Sequence, residues 1–141
     1  MALRTLYDID IGIKLDKLKW LADMVRNVTG VVVPSNRPVV GDDLFKVESG
    51  IIATWLLNCG DEYQTEVMPF RPRMVGQNEP ETVMGKGSGI DTVKEWLERF
   101  QIRVEEEKAM EILMAVKDWG LIHKRLMTED EFKELAEGLL D

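Results

Sequence analysis

Three stretches of this sequence hold the side chains whose types and spacing could do chemistry. The first is Val40-Gly41-Asp42-Asp43-Leu44-Phe45-Lys46-Val47-Glu48-Ser49-Gly50-Ile51-Ile52, where two acidic residues stand at an expected helix start and Glu48-Ser49-Gly50 interrupts an apolar run. Ser and Gly weaken a helix, Gly by about 1 kcal/mol relative to Ala, so the interruption by itself reads as a kink or a close helix contact. The second is Gly85-Lys86-Gly87-Ser88-Gly89. A Walker phosphate loop needs a glycine where Pro80 stands and Ser or Thr where Gly87 follows the lysine, so that reading is rejected. The glycines more simply make a strand-to-helix turn, with Ser88 capping the next helix and Asp91 at its third position, near the positive end of the helix dipole. The third set is the lone Cys59 and the lone His123. Cys59 has no His or second Cys near it in sequence and reads as a structural or surface thiol. With one histidine, a metal site inside the chain would have to be all-carboxylate, and no Asp-x-Asp-x-Asp-Gly loop occurs, so no metal site is predicted.

The elements that must position these residues follow from periodicity. Leu15, Leu18, Leu21, Ala22, Val25 and Val28 recur at spacings of three and four, which predicts an amphipathic helix over 15–29, stopped by Gly30. Val31 to Val40 contains Pro34 and Pro38 and reads as extended. Short helices are expected over 43–48 and 51–57, the second with Ile51, Ile52, Trp55 and Leu56 as an apolar stripe turned to the core. The pattern then changes to short strands over 65–70 and 81–84. Ile90, Val93, Trp96, Leu97 and Phe100 mark a helix. Ala109, Met110, Ile112, Leu113, Val116 and Trp119 mark a second, ending at Gly120 or a turn later, with Glu105-Glu106-Glu107 at its dipole-favoured start. Thr128 and Glu131 form a capping box opening a last helix with Phe132, Leu135, Ala136 and Leu139 inward. The fold class expected is mainly α with one small two-stranded β element.

Composition narrows the partners. The 141 residues suffice for one domain, or two small subdomains sharing a core. A formal net charge of −8 disfavours nucleic acid and anionic lipid, which need a basic footprint. No run of about 18 apolar residues could span a membrane, and the N-terminus lacks the apolar core of a signal peptide. A single cysteine excludes an internal disulfide framework and fits a cytoplasmic location.

Several of these segments together resemble the region that follows the catalytic barrel in acyl-CoA-condensing enzymes, the 2-isopropylmalate, homocitrate, citramalate and Re-type citrate synthases of the DRE-TIM metallolyase superfamily. Gly41, Phe45, Glu48, Ser49, Gly50 and Ile51 match the family's Gly-Glu-Asn-Ala-Phe-(Ala/Ser)-His-Glu-Ser-Gly-Ile-His segment. Pro34, Asn36, Arg37, Pro38, Val40 and Gly41 match its linker, and Tyr7 to Leu18 is similar to the start of its last barrel helix. Phe70-Arg71-Pro72-Arg73-Met74-Val75-Gly76 and Val83-Met84-Gly85-Lys86-Gly87-Ser88-Gly89 resemble two later motifs. Three family histidines are missing, with Val47, Ile52 and Gly87 in their places.

The resemblance implies α+β post-barrel subdomains without the TIM barrel: 1–33 as the last barrel-type helix and exit strand, 34–62 as linker and first helical subdomain, 63–141 as the β element plus three helices. It implies a C-terminal fragment or split subunit of a synthase joining acetyl-CoA to a 2-oxo acid, inert alone and serving as inter-subunit lid and dimerisation region. No cofactor is expected in this chain; the divalent metal belongs to the barrel. The expected partner is a second copy or the chain's own barrel. Tyr63 is the implied catalytic residue, and Glu48, Ser49, Gly50 and Ile52 are implied to line the substrate site. Ile52 cannot transfer a proton or donate a hydrogen bond, so a non-catalytic dimerisation or regulatory module that kept the family fold is the alternative.

Overall fold

The computed structural model describes residues 1–140. Helices α1 (Ala2–Tyr7), α2 (Leu18–Thr29), α3 (Gly50–Cys59), α4 (Ile90–Arg99), α5 (Glu106–His123) and α6 (Glu129–Gly138) account for most of the regular structure. Strands β1 (Lys46–Val47) and β2 (Glu81–Thr82) form a two-stranded parallel sheet. The fold is therefore mainly α with one small β element, as the periodicity predicts. Two compact units, each drawn from two stretches, make up the chain: 1–46 with 61–80, and 47–60 with 81–141.

In the first unit a 3-10 turn over Leu15–Lys17 leads into α2, which stops where Gly30 takes φ 70° and its amide donates to the Arg26 carbonyl. No residue of α2 is buried, and Val28 is 81% exposed. Its charged face is engaged instead. Lys19 and Arg26 both reach Asp42, at 2.7 and 2.9 Å, and the two cations, Lys19 first, hold that carboxyl below the usual aspartate range. Of the stretch 31–40, expected to be extended, residues 34–40 fold with 41–43 into consecutive turns: Arg37 N–H donates to the Pro34 carbonyl, Gly41 N–H to Arg37 and Asp43 N–H to Ser35. A Cβ on Gly41 would lie 2.2 Å from the Ser35 carbonyl oxygen, so only glycine fits the close of this loop. Gln77 donates to the carbonyls of Val39 and Gly41. Phe45 packs edge-on against Phe70, centroids 5.7 Å apart. The strand expected over 65–70 does not form. Asp61–Glu66 is a 3-10 helix and Met68 N–H turns back to the Gln64 carbonyl.

The second unit holds the main core. Met84, Val93, Trp96, Leu97, Ala109, Ile112, Leu113, Val116, Met127, Phe132 and Ala136 form one buried cluster from α4, α5, α6, Met84 before α4 and Met127 before α6. The Trp96 and Phe132 rings meet edge-to-face at 5.3 Å, a favoured aromatic arrangement. Helix α6 opens on the expected capping box: Thr128 Oγ1 accepts from Glu131 N–H, and the Glu131 carboxylate accepts from Thr128 N–H. Met110, assigned to the inward stripe of α5 by spacing, is exposed.

The segment 43–48 is not helical. Val47 lies in β1, and its carbonyl accepts from Val83 N–H, so the partner of the second expected strand is β1 and not 65–70. Backbone groups that a helix would have paired internally go to a distant strand, which local periodicity does not reveal.

Candidate functional site

Glu48-Ser49-Gly50 and Gly85-Lys86-Gly87-Ser88-Gly89, far apart in sequence, close on each other within the second unit. The Glu48 carboxylate accepts the Gly87 N–H at 2.8 Å. Gly50 N–H donates to the Gly87 carbonyl at 3.1 Å. A Cβ on Gly50 would lie 2.9 Å from the Gly89 Cα, and a Cβ on Gly89 would lie equally close to the Gly50 Cα. Gly50 is thus the close helix contact of the two readings its sequence allowed. A Cβ on Gly85 would stand 2.6 Å from Glu48 Oε1, so the carboxylate occupies the space that any side chain there would need.

Ser88 does not cap α4 as expected. Its buried hydroxyl accepts from Gly85 N–H at 3.0 Å and donates to the Val83 carbonyl at 3.2 Å, fixing the loop from inside. Gly89 is the N-cap residue of α4, and the Asp91 carboxylate accepts instead from Thr54 Oγ1 of α3 at 2.5 Å. That bond, with buried Ala53, sets which face of α3 turns inward. The consequence corrects the sequence reading. Ile51 and Trp55 are 69% and 55% exposed and Ile52 is only partly buried, so the apolar stripe of α3 is not core.

Beside this joint lies a cavity of ≈ 430 Å³ lined by Glu48, Lys86, Gly120, Leu121, Lys124, Arg125 and Leu126. Gly120 sits within α5, which continues to His123; a Cβ there would be 2.7 Å from the Lys86 backbone nitrogen. The glycine therefore seats the loop on the helix. Lys124 follows α5 with φ 54°, its N–H donating to the Gly120 carbonyl at 2.9 Å. Met127 N–H then donates to the Met84 carbonyl, which brings the residues after α5 back along the loop. Arg125 stacks over the Trp119 ring at 4.7 Å and binds both oxygens of Glu131, at 2.5 and 2.9 Å. The Arg125 guanidinium, and then the Thr128 backbone N–H, lower the Glu131 carboxyl from its ordinary 4.5 to about 2. Sequence reasoning missed Lys124 and Arg125; the signal was Gly120, a glycine inside a helical pattern that marks a close approach.

Tyr63, the implied catalytic residue, belongs to the first unit, on the 3-10 turn Asp61–Glu66, and is 55% exposed. Glu48, Ser49, Gly50 and Ile52 belong to the second. Among the described residues no group of three His, Cys, Asp or Glu side chains could hold a metal ion, and no helix is long and apolar enough to cross a membrane.

The helices, the glycine-locked joint and the two-stranded sheet make a small, mainly helical α+β fold. Residues 39–124 match the family model of the homocitrate synthase post-HMGL domain, and the chain belongs to that family. It is 39% identical over 120 residues to a protein of Methanopyrus kandleri named probable 2-isopropylmalate synthase, covering 85% of this chain and 23% of that one. It is 35% identical over 136 residues to homocitrate synthase 1 of a Nostoc species, covering 96% and 35% respectively. Homocitrate synthase AksA of Methanocaldococcus jannaschii is 34% identical over 140 residues, 99% of this chain and 33% of that protein. The chain thus spans about a quarter to a third of the length of these relatives.

Proposed function

We propose that this chain is the post-barrel region of a synthase that condenses acetyl-CoA with a 2-oxo acid, where it serves as a lid and a dimerisation surface between subunits and is inert alone. The observation that carries the reading is the face of α3. The helix that begins at the Glu-Ser-Gly joint and bears Ile52 leaves Ile51 and Trp55 exposed, while α2 buries no residue. Apolar surface of this kind is what a second subunit or a barrel would cover.

In this reading Glu48 acts on the loop: its carboxylate holds Gly87 N–H and keeps the Gly85–Gly89 turn against α3. Tyr63 is the proton-handling group, because a phenol can give, take or orient a proton during carbon–carbon bond formation and thioester hydrolysis. Ile52 lines the site without polar chemistry. Among the described residues no side-chain cluster suits a divalent metal, and in this reading the barrel would hold the ion. A cytoplasmic setting goes with the same reading.

Activity of this chain joined to or mixed with its barrel, assayed with acetyl-CoA and oxaloacetate, 2-oxoglutarate, pyruvate or 2-oxoisovalerate, tests the proposal. Tyr63→Phe is expected to lower turnover at least about tenfold with stability nearly unchanged, since a positioned proton-transfer group is worth about 100- to 10,000-fold. The loss of all three family histidines, at Val47, Ile52 and Gly87, favours a second reading, a non-catalytic dimerisation module. No turnover on any of the four acids, with a dimer retained in sedimentation, would establish that module instead.

A further inference from the structure

We propose that the cavity between the Gly85–Gly89 loop and the C-terminal end of α5 is a binding site for a doubly charged oxyanion of the phosphate class. Lys86, Lys124 and Arg125 all line it, in a chain whose net charge is −8. Arg125 is committed to Glu131 and Trp119. Among the described residues neither Lys86 nor Lys124 forms an ion pair, and both line the cavity beside the single carboxylate of Glu48. Local basic charge of this kind survives an acidic total where a ligand needs it.

The cavity is also built and not incidental. Gly120 lets the Lys86 backbone touch α5. The left-handed turn at Lys124 is an uncommon conformation for a residue with a Cβ, here held by its hydrogen bond to the Gly120 carbonyl. Leu121 and Leu126 complete the lining, both exposed to solvent.

The choice of ligand class follows from what opposes it. Glu48 lines the same cavity, although its carboxylate is engaged by Gly87 N–H. The carbonyl end of α5 adds partial negative charge. Both repel any anion, a dianion about twice as strongly as a carboxylate, so selection rests on the lysines outweighing them. A phosphate dianion, with three strong acceptor oxygens for two ammonium groups, gains enough to be selected.

The test is titration of the full chain with inorganic phosphate, glycerol phosphate and acetate, following backbone amide chemical shifts. Saturable shifts at Lys86, Gly87 and Lys124 with a phosphate, and not with acetate, are expected. Lys86→Gln with Lys124→Gln should weaken the apparent affinity at least about fivefold while the ligand-free melting midpoint holds, since charge-assisted bonds are the strong ones. Tighter binding of glycerol phosphate than of inorganic phosphate would identify an esterified ligand, and the reverse a free ion. Shifts that do not saturate, that acetate reproduces, or that persist in the double variant would overturn the proposal. Each outcome is independent of synthase turnover.

Discussion

Gly50→Ala should destabilise the chain, although helix propensity alone says the opposite. Gly50 is the first residue of α3, after Ser49 as N-cap, and alanine there would gain up to about 1 kcal/mol of propensity. The new Cβ would, however, lie 2.9 Å from the Gly89 Cα. Carbon atoms pack at about 3.5–4.0 Å, so α3 and the start of α4 must part by roughly 0.6–1.1 Å. Backbone stands on both sides of the contact, and no side-chain rotation relieves it. Overpacking of this kind costs about 1–3 kcal/mol. The same movement stretches the 3.1 Å bond from Gly50 N–H to the Gly87 carbonyl, a further loss of about 0.5–1.5 kcal/mol. The balance is a net loss of about 0.5–3.5 kcal/mol. Urea unfolding followed by tryptophan fluorescence, to which Trp96 in the core of the same unit contributes, measures it. Gly138→Ala is the matched control, because nothing lies within 4 Å of a Cβ at that helical position, and it should be neutral or stabilising. If Gly50→Ala unfolds at the same urea concentration as Gly138→Ala, the contact does not constrain the joint and the reasoning fails.

Glu131→Gln should lower the melting midpoint at neutral pH and have progressively less effect as pH falls. The folded carboxyl titrates near 2 against an ordinary 4.5, so its contribution is present above about 4.5 and lost as pH drops towards 2; a difference between parent and variant that is as large at pH 2 as at pH 7 would contradict this. Phe132→Ala removes a fully buried ring that meets both Trp96 and Phe100 and should cost about 3–5 kcal/mol in the same urea experiment; a loss under about 1 kcal/mol would mean that the core collapses around the void.

What the sequence by itself determined is helices α2 to α6 and their local punctuation, without α1. The stripes of α4, α5 and α6, the stop at Gly30 and the Thr128–Glu131 capping box all rest on residues within one or two turns of each other, and such short-range information survives in a one-dimensional pattern. The tertiary structure decided what depends on distant partners. Residues 43–48 lose their helix because Val47 pairs with the chain at Val83, and Ser88 leaves the cap of α4 because its hydroxyl is used inside its own loop. The stripe on α3 was legible but its direction was not: Thr54 reaching Asp91 and Gly50 pressing on Gly89 turn Ile51 and Trp55 outward. The glycines at 50, 85, 87 and 89 could be seen in the sequence as turn and breaker residues. That Glu48 fills the space beside two of them is a contact across 39 positions, set only when the chain folds.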